Sequence, residues 1–137
     1  MRQLSLFILG SVFLVATGYG QQLLIKHAEV PEYPPLAVQA RLSGTLRFRV
    51  TVDSGEVTSV VPDPVNSRNL RILETAAMQN IQSWSFYAGR KTFDTEFVYE
   101  ISGEEVVERV NPRIELNLPT SVRLVTHPVQ PQTNSQH

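Results

Sequence analysis

Cysteine is absent from this chain. It therefore has no disulfide scaffold, no thiolate zinc site and no cysteine nucleophile. An excess of one charge is also missing. Lys and Arg total 12 and Asp and Glu total 13, a formal net charge of −1. That balance argues against a dedicated nucleic-acid binder, which needs a basic surface. Histidine is scarce, and His27, His127 and His137 all lie outside the central block. No apolar run longer than a strand or a helix face follows residue 20. What is present is ordinary: hydrophobic residues make up 42% of 137 positions, too many for a wholly disordered chain and about enough for one domain.

The first 20 residues read as an address. Arg2 gives a positive start, Leu4 to Ala16 runs 13 residues without a charge, and Gly18 and Gly20 offer small residues for cleavage. This is the layout of a secretory signal peptide. The alternative is a short membrane anchor, although a spanning helix wants about 20 apolar residues. Either way the remainder leaves the cytoplasm. Cleavage after Gly20 leaves 11 basic and 13 acidic residues, hence −2. Export without cysteine suggests a bacterial envelope protein that relies on its core alone, in the periplasm or facing it from the inner membrane.

Residues 21–30 are a lead-in, and residues 31–102 carry the strongest periodicity. Pro34 and Pro35 suit a helix start. Leu36, Ala37 and Ala40 continue a short apolar stripe, and Gly44 is expected to stop the helix. Thr45 to Val52 then alternates strictly: Leu46, Phe48, Val50 and Val52 face one way, Thr45, Arg47, Arg49 and Thr51 the other. That is a half-buried strand. Asp53-Ser54-Gly55 signals a hairpin returning through Glu56 to Val61, ended by Pro62 and Pro64. Asn66 and Ser67 are candidate N-caps for a helix whose core face carries Leu70, Leu73, Ala77, Ile81 and Trp84. Phe93 to Ile101 alternates again, with Phe93, Thr95, Phe97, Tyr99 and Ile101 on one face.

Residues 31–101 resemble the C-terminal domain of TonB, the energy transducer of the Gram-negative envelope. The likeness rests on an ordered series: Pro31-Glu32-Tyr33-Pro34, then Ala37 and Gly44, the strand into Val52-Asp53 with Gly55 and Val57, then Ala76-Ala77 and Trp84-Ser85-Phe86. The resemblance implies an α+β fold with two helices packed on a three-stranded antiparallel sheet. It also implies a non-enzymatic binding module without cofactor or metal. In TonB this domain receives a short N-terminal peptide of an outer-membrane receptor as an added strand beside its last core strand. Carried over, the partner-binding residues are Phe93, Thr95, Phe97, Tyr99 and Ile101, with Tyr33 and Pro34 near the docked peptide; Tyr33 also has a second reading, packing the chain entry onto the domain. The physical basis is an open sheet edge whose unpaired backbone groups select an extended peptide. About five hydrogen bonds of roughly 0.5–1.5 kcal/mol each imply a weak to moderate, transient complex.

Three features set the chain apart from a full energy transducer. Only residues 21–30 separate the leader from the domain, a reach of at most ~36 Å. Leu4 to Tyr19 lacks the family's motor histidine. Finally, an extension follows Ile101. In it Ile114, Leu116 and Leu118 alternate with Arg113, Glu115 and Asn117, and Val122 and Leu124 flank Arg123. Residues 103–126 are thus expected to be strand-like, and residues 127–137 to be a disordered tail. The extension is expected either to lie along the Phe93–Ile101 edge, because exposed edges are normally covered, or to make a homodimer contact. A structural or assembly role is the alternative to peptide binding.

Other residues favour plain readings. Trp84 in phase with Ile81 reads as core. Arg47 and Arg49 read as solvated charges rather than an anion grip. Glu104, Glu105 and Glu108 read as a solvated turn. His27 has no second ligand nearby, and Ser54 sits in a hairpin turn without a central histidine, so neither a metal site nor a nucleophile is indicated.

Overall fold

The computed structural model describes residues 23–131. The expected leader of residues 1–20, and residues 132–137 of the expected tail, lie outside the described residues. The elements in order are β1 (Ile25–His27), α1 (Pro35–Gln39), β2 (Gly44–Asp53), β3 (Glu56–Pro62), a 3-10 turn (Arg68–Leu70), α2 (Arg71–Gln82), β4 (Ser85–Phe86), β5 (Lys91–Ile101), β6 (Arg113–Asn117) and β7 (Ser121–Thr126). They form one seven-stranded sheet in the order β1-β4-β3-β2-β5-β7-β6. Every neighbouring pair is antiparallel except β5 and β7, which run parallel.

The expected fold, two helices on a three-stranded antiparallel sheet, is therefore corrected. The three strands are present as β2, β3 and β5, but they form the middle of a mixed sheet with two short helices of five and twelve residues. The lead-in adds β1 and pairs it with β4, and the extension adds β7 and β6. The physical reason lies in the apolar face of the extension. Val122 and Leu124 are fully buried with β2 and β5, so the core continues past Ile101.

Alternation decides the faces of the long strands. Leu46, Phe48, Val50 and Val52 are buried, and Arg47 and Arg49 point outward. On that outer face the directly opposed pairs Arg47–Glu96 (3.3 Å), Arg49–Asp94 (3.0 Å) and Thr51–Thr92 (3.2 Å) join β2 to β5. Cross-strand neighbours of opposite charge suit such positions. The β2–β3 turn is Ser54-Gly55, with φ of +54° and +81°, the backbone of a two-residue type I′ hairpin. A Cβ on Gly55 would lie 2.4 Å from the Phe86 carbonyl oxygen, so glycine is required there twice over.

Helix α1 does not run to Gly44, which instead opens β2. It ends at Gln39, where the Arg41 N–H donates to Val38 O (3.0 Å) and the Leu42 N–H to Ala37 O (2.8 Å). Arg41 has φ +56°. This is a Schellman ending with arginine in the left-handed position that glycine usually fills. Helix α2 buries Leu73, Ala77 and Ile81. Ser67 caps the preceding 3-10 turn through Asn69 N–H (3.3 Å). Asn66 does something else. Its side chain accepts from Arg47 N–H and donates to Arg47 O, both at 3.0 Å, standing in for a strand residue just past the end of β3. Trp84 is buried, donates to Asn80 Oδ1 (3.1 Å) and stacks on Phe97.

Candidate functional site

The strand expected to receive a partner is β5. Its inward side chains Thr95, Phe97 and Tyr99 are buried, and Phe93 and Ile101 pack partly buried against the same core. They hold the sheet to its helices, leaving only backbone to offer a partner. On one side that backbone pairs with β2. On the other, β7 lies in register from Glu96 opposite Ser121 to Ile101 opposite Thr126. The ladder is closed at its ends by Glu96 N–H to Thr120 O (3.0 Å) and Ser102 N–H to Thr126 O (2.9 Å). Thr95 Oγ1 also donates to Thr120 O (3.2 Å), and Arg123 pairs with Glu100.

Tyr33 is 1% exposed. Its hydroxyl donates to the Leu42 carbonyl, and its ring meets Tyr99 edge-on at 5.1 Å. Burial pushes both phenols well above the ordinary tyrosine pKa. Pro34 is half-buried at the start of α1, and its carbonyl accepts the Val38 N–H (3.0 Å). Sequence reasoning missed what holds the extension over this corner. Arg109 donates to the Tyr33 carbonyl (3.5 Å), Arg41 pairs with Glu105, and Val106 bridges Val129 through Val106 N–H to Pro128 O (2.9 Å) and Gln130 N–H to Val106 O (2.8 Å). These contacts join residues more than 20 positions apart, and no periodicity signals them.

Strand β6 pairs with β7, from Arg113 opposite Val125 to Asn117 opposite Ser121. Among the described residues it is the last strand on that side of the sheet. Its free backbone groups can be assigned. The Thr120 and Thr126 carbonyls serve β5, so the odd-numbered residues of β7 turn their peptide groups to β6. Arg113, Glu115 and Asn117 therefore bond β7, while Ile114 and Leu116 turn their N–H and C=O groups outward. Leu116 is 55% exposed, and Arg113 pairs with Glu115 at 3.2 Å on the outer face.

The Gram-negative bacterial TonB protein C-terminal family matches residues 29–102, more than half of the chain. The chain belongs to this family. It is accordingly a TonB-like protein-interaction module of the bacterial envelope, a family of interaction and transduction domains rather than enzymes. Such domains meet envelope and outer-membrane proteins. No curated protein matches the chain. The family match ends at Ser102, one residue past β5, so β6 and β7 lie outside it. Among the described residues no helix is long and apolar enough to cross a membrane, and no cluster of three or more His, Cys, Asp or Glu could hold a metal ion. A groove of ≈ 720 Å3 on the outer face is lined by Arg47, Arg49, Asp94 and Glu96. The ion pairs described above occupy these groups with one another. Asp94 raises the Arg49 pKa, first through its hydrogen bond and then through its charge.

Proposed function

We propose that this TonB-type module works in the periplasm, exported by its N-terminal segment, and binds an extended segment of an envelope protein by strand addition at β6. An outer-membrane receptor peptide is the first candidate partner. The observation that carries this reading is the parallel ladder between β5 and β7. It fills the edge along Glu96–Ile101 with the chain's own strand and moves the open edge outward to β6. Six paired residues and two fully buried side chains, Val122 and Leu124, hold β7 there. An incoming peptide would only exchange the hydrogen bonds of β7 for its own, and would have to make up in addition roughly 1.5–3 kcal/mol for each of those side chains. Strand β6 makes no such demand. A partner strand there meets the outward groups of Ile114 and Leu116, and half-exposed Leu116 favours an apolar residue on the inner face.

The test is an NMR titration of residues 21–137 with N-terminal peptides from the outer-membrane receptors of the source organism. Shifts concentrated at Arg113–Asn117 are expected. Ile114→Pro, which removes an outward N–H without breaking a β6–β7 bond, should abolish them. Shifts at Phe93–Ile101 with loss of the β7 signals would mean that the peptide displaces β7, and would overturn the β6 assignment.

A further inference from the structure

We propose that a second copy of this chain pairs with β6, strand to strand and antiparallel, with Ile114 opposite Ile114 across a two-fold axis. The proposal rests on the reading of β6 as the strand-adding edge and names an occupant for it. Charge decides the register. Ile114 turns its N–H and C=O outward, so two Ile114 residues facing each other form a hydrogen-bonded pair that obeys the two-fold. The next residues are then a close, non-hydrogen-bonded pair, Glu115 against Arg113 of the second copy, repeated by symmetry. With the ion pair each chain already has between Arg113 and Glu115, this gives a square of four charges on the outer face, each next to two of opposite sign. One step further, Leu116 donates its N–H to Pro112 O of the second copy, and its half-exposed side chain covers that proline. The return bond is missing because proline has no N–H, so the seam holds about four hydrogen bonds.

The neighbouring register is repelled. Centring the axis on Glu115 places the two Glu115 carboxylates directly opposite each other, and like charges facing across strands destabilise a pair. Centring it on Leu116 sets Glu115 against Asn117 and leaves Arg113 without an acid from the second copy. The alternation Arg-Ile-Glu-Leu thus carries its own complement in one register. The seam is short, so the dimer is weak, and an envelope peptide of the kind proposed above competes with it for the same backbone groups.

Sedimentation of residues 21–137 from micromolar to millimolar concentration tests this. A reversible dimer is expected. Arg113→Glu and Glu115→Arg should each weaken it by about tenfold, from two repelled pairs per dimer. The double variant R113E/E115R should restore it, because the charges are exchanged and remain complementary. Both positions of change are exposed, so the amide spectrum away from β6 should not move. A chain monomeric at every concentration, or a dimer indifferent to these charges, overturns the proposal. If the monomeric chain still takes a peptide at Arg113–Asn117, only the second copy is wrong. If that edge accepts neither, the functional reading fails with it.

Discussion

Tyr33 is where the chain entering α1 meets the core. It places a phenol beside the Leu42 carbonyl and a ring against Tyr99. Tyr33→Phe keeps the ring and removes the donor, so it should cost about 1–2 kcal/mol by urea denaturation. The same residues predict a pH response. Burial raises the folded-state pKa of Tyr33 and Tyr99. A raised pKa on a group that is neutral when protonated gives stability that is fully present below the unfolded value of about 10 and is lost as pH climbs above it. The urea midpoint should therefore fall in alkali, and it should fall less steeply in Tyr33→Phe. An unchanged slope in that variant would place the alkaline loss elsewhere. Gly55 is the other residue with no substitute: Gly55→Ala meets both a positive φ and the Phe86 carbonyl, and should destabilise the hairpin by at least about 1 kcal/mol.

Elements within residues 31–102 were legible because each has one wet face. Strict alternation in β2 and β5 separates Phe48 and Phe97 from Arg47 and Glu96, and the three- and four-residue steps of Leu73, Ala77 and Ile81 mark α2. The need to cover an exposed edge placed the extension along Phe93–Ile101, as the β5–β7 ladder has it. What stayed hidden was register and direction: alternation does not reveal that Val122 and Leu124 lie beside Phe97 and Tyr99, nor that the ladder is parallel. The end of α1 was not legible: Gly44, the expected stop, opens β2, and Arg41 does the work of a glycine without the signal. Tyr33 illustrates the limit at the site, because its position in a family motif does not reveal that its side chain is buried. Strand β7 shares the core through its fully buried Val122 and Leu124. Leu124→Ala should cost about 2–5 kcal/mol, comparable to a substitution in β2. A cost below about 1 kcal/mol would mean that β7 is an appendage and not part of the core.

At the scale of the whole molecule, the sheet moves its open edge. A TonB-type core supplies β2, β3 and β5, and the residues beyond the family match close β5 with a parallel strand and expose an antiparallel one, β6. Arg109 on Tyr33, Arg41 with Glu105 and the Val106–Val129 bridge tie this extension back to the corner where the chain enters α1. The extension thus serves as both cover and new surface. Amide hydrogen exchange on residues 21–137, read by NMR without any ligand, tests this most directly. The Glu96 and Ser102 amides, bonded to Thr120 and Thr126, should be protected to nearly the same extent as the central amides of β2. The Ile114 and Leu116 amides, at dilute concentration, should exchange quickly. Fast exchange at Glu96 and Ser102 would show that β7 does not hold the β5 edge in solution, and would contradict the account.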